Sequence, residues 1–357
     1  MIIHLPYALY ITSLIAAFFL FPIFIQILEK NHILDSPNER KIHSVQTPSM
    51  GGVPIFFSCL FALIIWLPGA IALEFKYLFS SLSIMFLVGL RDDLIPLSPR
   101  TKILSQLIPI LIFVYLSEQH IHSLYEIYDV ELGATLSFFL TSFFLLSFSN
   151  SLNLIDGIDG LAGSISLLIL TFFGFWFAFT EDTTYSFLSF CAAGGLTSFL
   201  IFNWQPSKIF LGDTGALLLG LLIAYLGIVF LNTNEALPTS SWIKYKSPLA
   251  SCVAILIIPI MDTIRVIIVR LLNRKSPLQA DKNHLHHLLL ESGLSHSKAS
   301  LTLVLFNLIF IGLTFLTRKI HPIMSWLLLV SMSLAAMWSI VRFKEYYSKS
   351  FTKKSRV

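Results

Sequence analysis

Charge is scarce in this sequence. Only 12% of its 357 residues are Asp, Glu, Lys or Arg, against about 25% in an ordinary soluble domain. With 55% of residues hydrophobic, too little polar surface remains to cover a water-soluble globule of this size. Cysteine is nearly absent. Cys59, Cys191 and Cys252 each stand inside an apolar run, which excludes a disulfide framework and a CxxC metal motif. No P-loop and no GxGxxG turn in a strand–helix setting occurs, so a nucleotide would not be held in either of those ways. The first stretch, MIIHLPYALYITSLIAAFFLFPIFIQIL, lacks a basic n-region and a small-residue cleavage site. It is expected to stay as a first span rather than leave as a signal peptide. Internal repeats and low-complexity tracts are also missing, so residues 1–357 are read as one domain.

What the sequence has is apolar runs. A membrane span needs about 20 apolar residues, and eleven runs qualify: 5–28, 51–68, 72–90, 103–117, 134–152, 161–180, 184–202, 214–231, 248–271, 299–317 and 322–341. The expected fold is all-α and polytopic, with ten or eleven spans, since 103–117 is short. Lys and Arg orient them. With the N-terminus outside, nineteen of the 24 basic residues fall on the cytoplasmic side, including the C-terminal tail. Only Lys76, Lys244, Lys246, Arg318 and Lys319 fall outside. The polar loops 29–50, 91–102, 153–160, 203–213 and 272–298 then share the cytoplasmic face, where any chemistry is expected.

Those loops carry acids where apolar segments meet water. In NLIDGIDGLAG, Asn153, Asp156 and Asp159 precede a span that opens near Leu161. A helix N-terminus favours anions, and carboxylate and amide oxygens suit Mg²⁺; the plainer reading is a polar turn. In FLGDTG, Asp213 stands where the next span opens, which fits a helix cap and a metal ligand equally. In GLRDDLIPLSPRTK, Asp92 and Asp93 end a span, where the dipole disfavours negative charge. Their mutual repulsion is expected to raise one carboxyl toward neutrality, where it accepts protons better. Arg91 and Lys102 would counter that charge or hold a phosphate. His284, His286 and His287 in DKNHLHHLLLESG do not have the i, i+4 spacing of a zinc helix and fit phosphate contact better. Asp262 and Arg265, three apart inside an apolar run, are expected to pair with each other.

Taken together and in this order, DSPNERKIH, TPSMGG, the RDD pair, NLIDGIDGLAG, NWQPSKIFLGDTG, PIMDTIRV and HLHH resemble the polyprenyl-phosphate N-acetylhexosamine-1-phosphate transferases. These multi-span bacterial enzymes are related to the phospho-muramoyl-pentapeptide translocases. The resemblance runs from Asp35 to about Gly293. It implies catalytic roles for Asp92, Asp93 and Asp156, and contact of Lys102 with the lipid phosphate. It also implies Mg²⁺, or Mn²⁺ in its place, on Asn153 and Asp213. Asp159, Asn203, His284, His286 and His287 would face the nucleotide sugar. The implied substrates are undecaprenyl phosphate and a UDP-sugar, UDP-GlcNAc before others because HLHH leans away from the muramoyl-pentapeptide branch. The implied setting is the bacterial cytoplasmic membrane, at the start of O-antigen, common-antigen or wall-polymer synthesis. Membrane lipid is the other expected partner, nucleic acid is not one, and a homodimer is left open. The reading from another class is a transporter, but transporters place ionisable groups near the bilayer midplane. Apart from Asp262 and Arg265, the charges here stand at the cytoplasmic ends of spans.

Overall fold

The computed structural model describes residues 4–34, 46–117, 119–125, 131–180, 183–276 and 283–354, and no side chain at 70 or 347–354. DSPNERKIH, and the Ala280–Lys282 segment before NHLHH, lie outside the described residues. Among the described residues are fourteen helices and no strand, with one isolated bridge between Ser123 and Glu131. In chain order the helices are α1 (Leu5–Lys30), α2 (Gly52–Trp66), α3 (Gly69–Glu74), α4 (Lys76–Leu94), α5 (Pro99–Leu116), α6 (Ala134–Ile155) and α7 (Leu161–Ala178). They continue with α8 (Thr184–Asn203), α9 (Gly212–Ala236), α10 (Pro248–Ile255), α11 (Ile257–Leu272), α12 (Leu285–Glu291), α13 (His296–Thr317) and α14 (Pro322–Lys354).

Eight of these are long and apolar enough to cross a membrane, or nine if α10 and α11 count as one span, against the eleven runs expected. The differences have local causes. Helix α2 is only 15 residues long. Helix α4 has 19 residues but carries Lys76, Arg91, Asp92 and Asp93. Run 248–271 is broken into α10 and α11, which meet at 82°. Pro259 stands in the first turn of α11, where its missing N–H costs nothing.

Helix α9 forms the centre. Its sequence, GALLLGLLIAYLGIVFL, is apolar on every side, the pattern of a helix surrounded by others. The whole of its apolar window is buried, and α2, α4, α6, α7 and α10 pack on it. The approach of α2 is close because Gly52 lies on Gly215; a Cβ there would collide with the α9 backbone. The chain runs back and forth, so alternate helix ends meet at one end of the bundle. Helices α4, α6 and α8 finish there, while α5, α7, α9 and α13 begin there.

Candidate active site

At that end is a cavity of about 650 Å³. Each polar residue in or beside it sits where a helix stops or starts. Asp92 and Asp93 occupy the last turn of α4. Ser98 caps α5 by accepting the Thr101 N–H, with Pro99 at the first helical position, which sets Lys102 in the first turn. Asn153 is in the last turn of α6, and Asp156 is its C-cap. Asn203 ends α8, and Asp213 lies in the first turn of α9. Gly212 has φ +73°, and a Cβ there would press on Asp93 Oδ2 and Ser49 Oγ, each 2.7 Å away. Only glycine fits this left-handed corner.

Of the residues singled out in the sequence, Asp92, Asp93, Asn153, Asp156, Asp159, Asn203, Asp213 and His287 line the cavity. Lys102 is not on the wall but reaches three of them. Its Nζ lies 2.5 Å from Asp213 Oδ1, 2.9 Å from Asp92 Oδ2 and 3.4 Å from Asn153 Oδ1. Asn153 Nδ2 donates to Asp213 Oδ1. The other oxygen of Asp92 accepts the Leu97 N–H at 2.6 Å. Asn203 is a tie rather than a free group. It accepts the Gly160 N–H at 2.9 Å and donates to the Ile209 carbonyl at 2.8 Å, joining the start of α7 to the loop before α9.

Asp93 has the largest share of α9. One carboxylate oxygen accepts the Asp213 N–H at 2.8 Å; the other accepts the Thr214 N–H at 2.9 Å and the Thr214 hydroxyl at 2.5 Å. Asp213 therefore sits inside a first turn that Asp93 caps from another helix. Burial, then the negative charge of Asp213, pushes the Asp93 carboxyl up to about 6, with the bonds from Thr214 and Asp213 opposing. The neighbouring charge is Asp213 and not, as the sequence suggested, Asp92. Asp156 goes further. Burial first, then Asp213 and Asp93, push it up to about 8. Within the NLIDGIDG loop, burial and like charge thus hold the Asp156 carboxyl well above the usual carboxylate range.

The three histidine rings lie with centroids 4.4–6.3 Å apart but take different surroundings. His284 Nδ1 lies 2.6 Å from Asp262 Oδ2, and the Leu285 N–H donates to Asp262 Oδ1 at 2.6 Å. Asp262 is held by the HLHH segment instead of by Arg265, whose guanidinium donates to the Asn283 carbonyl. His286 is buried against Gly157, which has no side chain to obstruct it. Burial, followed by the charges of His287, His284 and His296, pushes its imidazole well below the usual range. It is a neutral packing group at neutral pH. Of the three, only His287 lines the cavity.

Sequence reading missed His296. Ser295 caps α13 through the Lys298 N–H, which puts His296 at the first helical position and on the cavity wall. Its Nδ1 is 3.5 Å from Asp159 Oδ2, while the Ser207 hydroxyl donates to Asp159 Oδ1 at 3.0 Å. Burial alone would raise Asp159; the nearby His296 imidazole, with the Ser207 hydroxyl, outweighs it and holds the carboxyl below the usual range. The sequence signal was LSHSK, a helix cap with a histidine beside it, in a stretch the motif did not cover.

The donors around Asp213 are oxygens: its own carboxylate, the Asn153 amide and the nearby Asp156 carboxyl. Among the described residues no three His, Cys, Asp and Glu side chains form a metal cage. Mg²⁺ does not need one. It is commonly held by one or two carboxylates, with water and phosphate oxygens completing the shell. The Lys102 ammonium, lodged against oxygens of Asp213, Asn153 and Asp92, marks the place as one that takes positive charge. The residues present therefore fit a hard divalent cation.

This convergence of acids and one lysine at the helix ends of a membrane bundle defines a class that comparison identifies. Residues 75–231 match the model of glycosyl transferase family 4, a range holding every cavity-facing acid above and Lys102. The chain is 32% identical over 305 residues, 84% of its length and 82% of the relative's, to a Bacillus subtilis (strain 168) protein named "Probable undecaprenyl-phosphate N-acetylglucosaminyl 1-phosphate transferase". It is 31% identical over 293 residues, 75% of this chain and 73% of the relative, to the decaprenyl-phosphate N-acetylglucosaminephosphotransferase of Mycobacterium leprae (strain TN). It is 24% identical over 357 residues, 93% of each chain, to the undecaprenyl-phosphate alpha-N-acetylglucosaminyl 1-phosphate transferase of Escherichia coli (strain K12). The chain belongs to glycosyl transferase family 4.

Proposed function

We propose that the chain transfers GlcNAc-1-phosphate from UDP-GlcNAc to undecaprenyl phosphate and releases UMP. The observation that carries this reading is the meeting of Asp92, Lys102, Asn153, Asp156 and Asp213 from four helix ends around one cavity. The relatives' names supply the substrates.

An oxygen of the acceptor phosphate attacks the sugar-bearing phosphorus. The bond from that phosphorus to the oxygen bridging it to the uridine-side phosphorus breaks, and its electron pair leaves on that oxygen with UMP. Catalysis of this kind is chiefly positioning and neutralisation of charge. Lys102 binds the acceptor phosphate, and Asp92 takes its proton when it arrives singly protonated. Asp93 holds the first turn of α9 so that Asp213 keeps its place. Asp159, His287 and His296 face the nucleotide sugar, and His284 with Asp262 fixes the segment that presents His287. Bound Mg²⁺, or Mn²⁺, on Asp213 and Asn153 would offset the pyrophosphate charge.

The cavity faces the cytoplasm of a bacterium, with the N-terminus outside and the C-terminus inside, because nineteen of 24 Lys and Arg residues then obey the positive-inside rule. There the soluble donor meets a membrane-bound acceptor. The test is a panel of UDP-sugars given to detergent-purified protein with undecaprenyl phosphate and Mg²⁺. UDP-GlcNAc should yield lipid-linked product fastest; preference for UDP-GalNAc or UDP-MurNAc-pentapeptide would overturn the choice of donor. Activity without a sealed compartment separates this enzyme from a transporter.

A further inference from the structure

The opposite end of the bundle holds a second cavity, of about 260 Å³. Helix α7 leaves the catalytic end at Leu161 and reaches Phe179 about 27 Å later at 1.5 Å per residue. Helix α13 starts at His296 and delivers Arg318 about 33 Å away by the same rise. Phe172, Phe175, Trp176, Phe179, Trp242 and Tyr245 give this cavity an aromatic wall, and Arg318 is the one charge on it. The wall is pinned: Trp176 Nε1 donates to the Ile243 carbonyl at 3.2 Å, and Phe179 packs edge-on to Trp242 with centroids 5.4 Å apart.

Two features say what such a cavity takes. Its volume falls below the range of about 300–1,000 Å³ usual for small-molecule pockets, which suits a segment of hydrocarbon chain better than a nucleotide or a sugar. The local charge is also out of place for this end of the bundle. Of the five basic residues assigned there, four fall in two short stretches, Lys244 and Lys246 with Arg318 and Lys319, joined by the Lys246 N–H donating to the Arg318 carbonyl at 2.8 Å. Lys244 is engaged with the carbonyls of Glu235 and Leu237. No described carboxylate pairs with Arg318. An aromatic slot at the depth where Trp and Tyr meet headgroups, with an unpaired guanidinium on its wall, is complementary to a chain that ends in a phosphate.

We propose that this cavity binds an anionic membrane phospholipid, its phosphate on Arg318 and part of one acyl chain against the aromatic wall. Trp176 and Trp242 are built-in reporters. Full-length protein in neutral detergent is titrated with phosphatidylglycerol or phosphatidylcholine carrying brominated chains, which quench tryptophan on contact. Quenching by phosphatidylglycerol should saturate at about fivefold lower lipid, the worth of one basic residue at an anionic headgroup. Arg318→Gln should erase that preference while UMP release and melting temperature stay unchanged, and Lys319→Gln should keep it. Trp242→Phe should reduce the quenchable signal. Equal quenching by the two lipids in the parent protein would overturn the site. So would a preference that survives Arg318→Gln, or one that Lys319→Gln weakens equally, since that would be diffuse surface charge.

Discussion

Asp93, at the end of α4, caps α9 by accepting the backbone N–H groups of Asp213 and Thr214 at 2.8 and 2.9 Å. The two residues lie 120 positions apart in the chain. This contact fixes an acid of the cavity by the same rule that fixes helix ends everywhere: free N–H groups seek an oxygen. Asp93→Ala should therefore cost about 1–2 kcal/mol of stability, as loss of a cap does, and should lower activity with it. Thermal melting and UMP release measured on the same sample check both.

Lys102 neutralises Asp92 and Asp213 together. Removing its charge leaves the two acids uncompensated and the acceptor phosphate without a cation. Lys102→Met should reduce kcat/KM for undecaprenyl phosphate about 10- to 100-fold, the worth of one or two charged hydrogen bonds. Lys102→Arg should keep more of it. Asp92→Asn and Asp213→Asn should each cut turnover at least ~100-fold. Near-normal turnover in either variant would remove that residue from the site.

The Asp156 carboxyl, pushed up to about 8 from an ordinary 3.8, gives a pH dependence with a definite sign. Without a divalent cation, its contribution to stability is full below the ordinary carboxyl value and is lost as pH rises toward about 8. A cation favours the ionised form, so its binding expels the proton. The gain in melting temperature on adding Mg²⁺ should therefore grow from about pH 6 to about pH 8. Asp156→Asn should flatten that growth; a gain independent of pH in the parent protein would contradict the assignment.

His296 and Asp159 act on the nucleotide sugar in this account. His296→Ala should raise KM for UDP-GlcNAc about tenfold, the worth of one charged hydrogen bond, and leave kcat within a few-fold. Steady-state kinetics with the acceptor saturating would separate the two parameters. A fall in kcat with KM unchanged would place His296 nearer the reacting atoms.

Much of this arrangement was legible in the sequence because helix ends announce themselves. Pro99, Gly160 and Gly212 mark where α5, α7 and α9 begin, and the acids beside them mark the cavity. Lys and Arg sorted the loops to one face before any contact was known. What was not legible depends on pairs distant in sequence. The capping of α9 by Asp93, and the grip of His284 on Asp262, follow from the way α4 crosses α9 and α12 meets α11. Hydropathy, too, reads each apolar run by itself. It registers apolar length, and neither the shortness of α2 nor the 82° bend after α10 changes the composition of the run.

The central claim is that a phosphate travels with the sugar. The most direct measurement uses UDP-GlcNAc radiolabelled in the phosphate next to the sugar, with undecaprenyl phosphate and Mg²⁺. Sugar-1-phosphate transfer predicts that all transferred label enters the butanol-extractable lipid and that the uridine product is unlabelled UMP. Label left on UDP, with GlcNAc alone on the lipid, would contradict it.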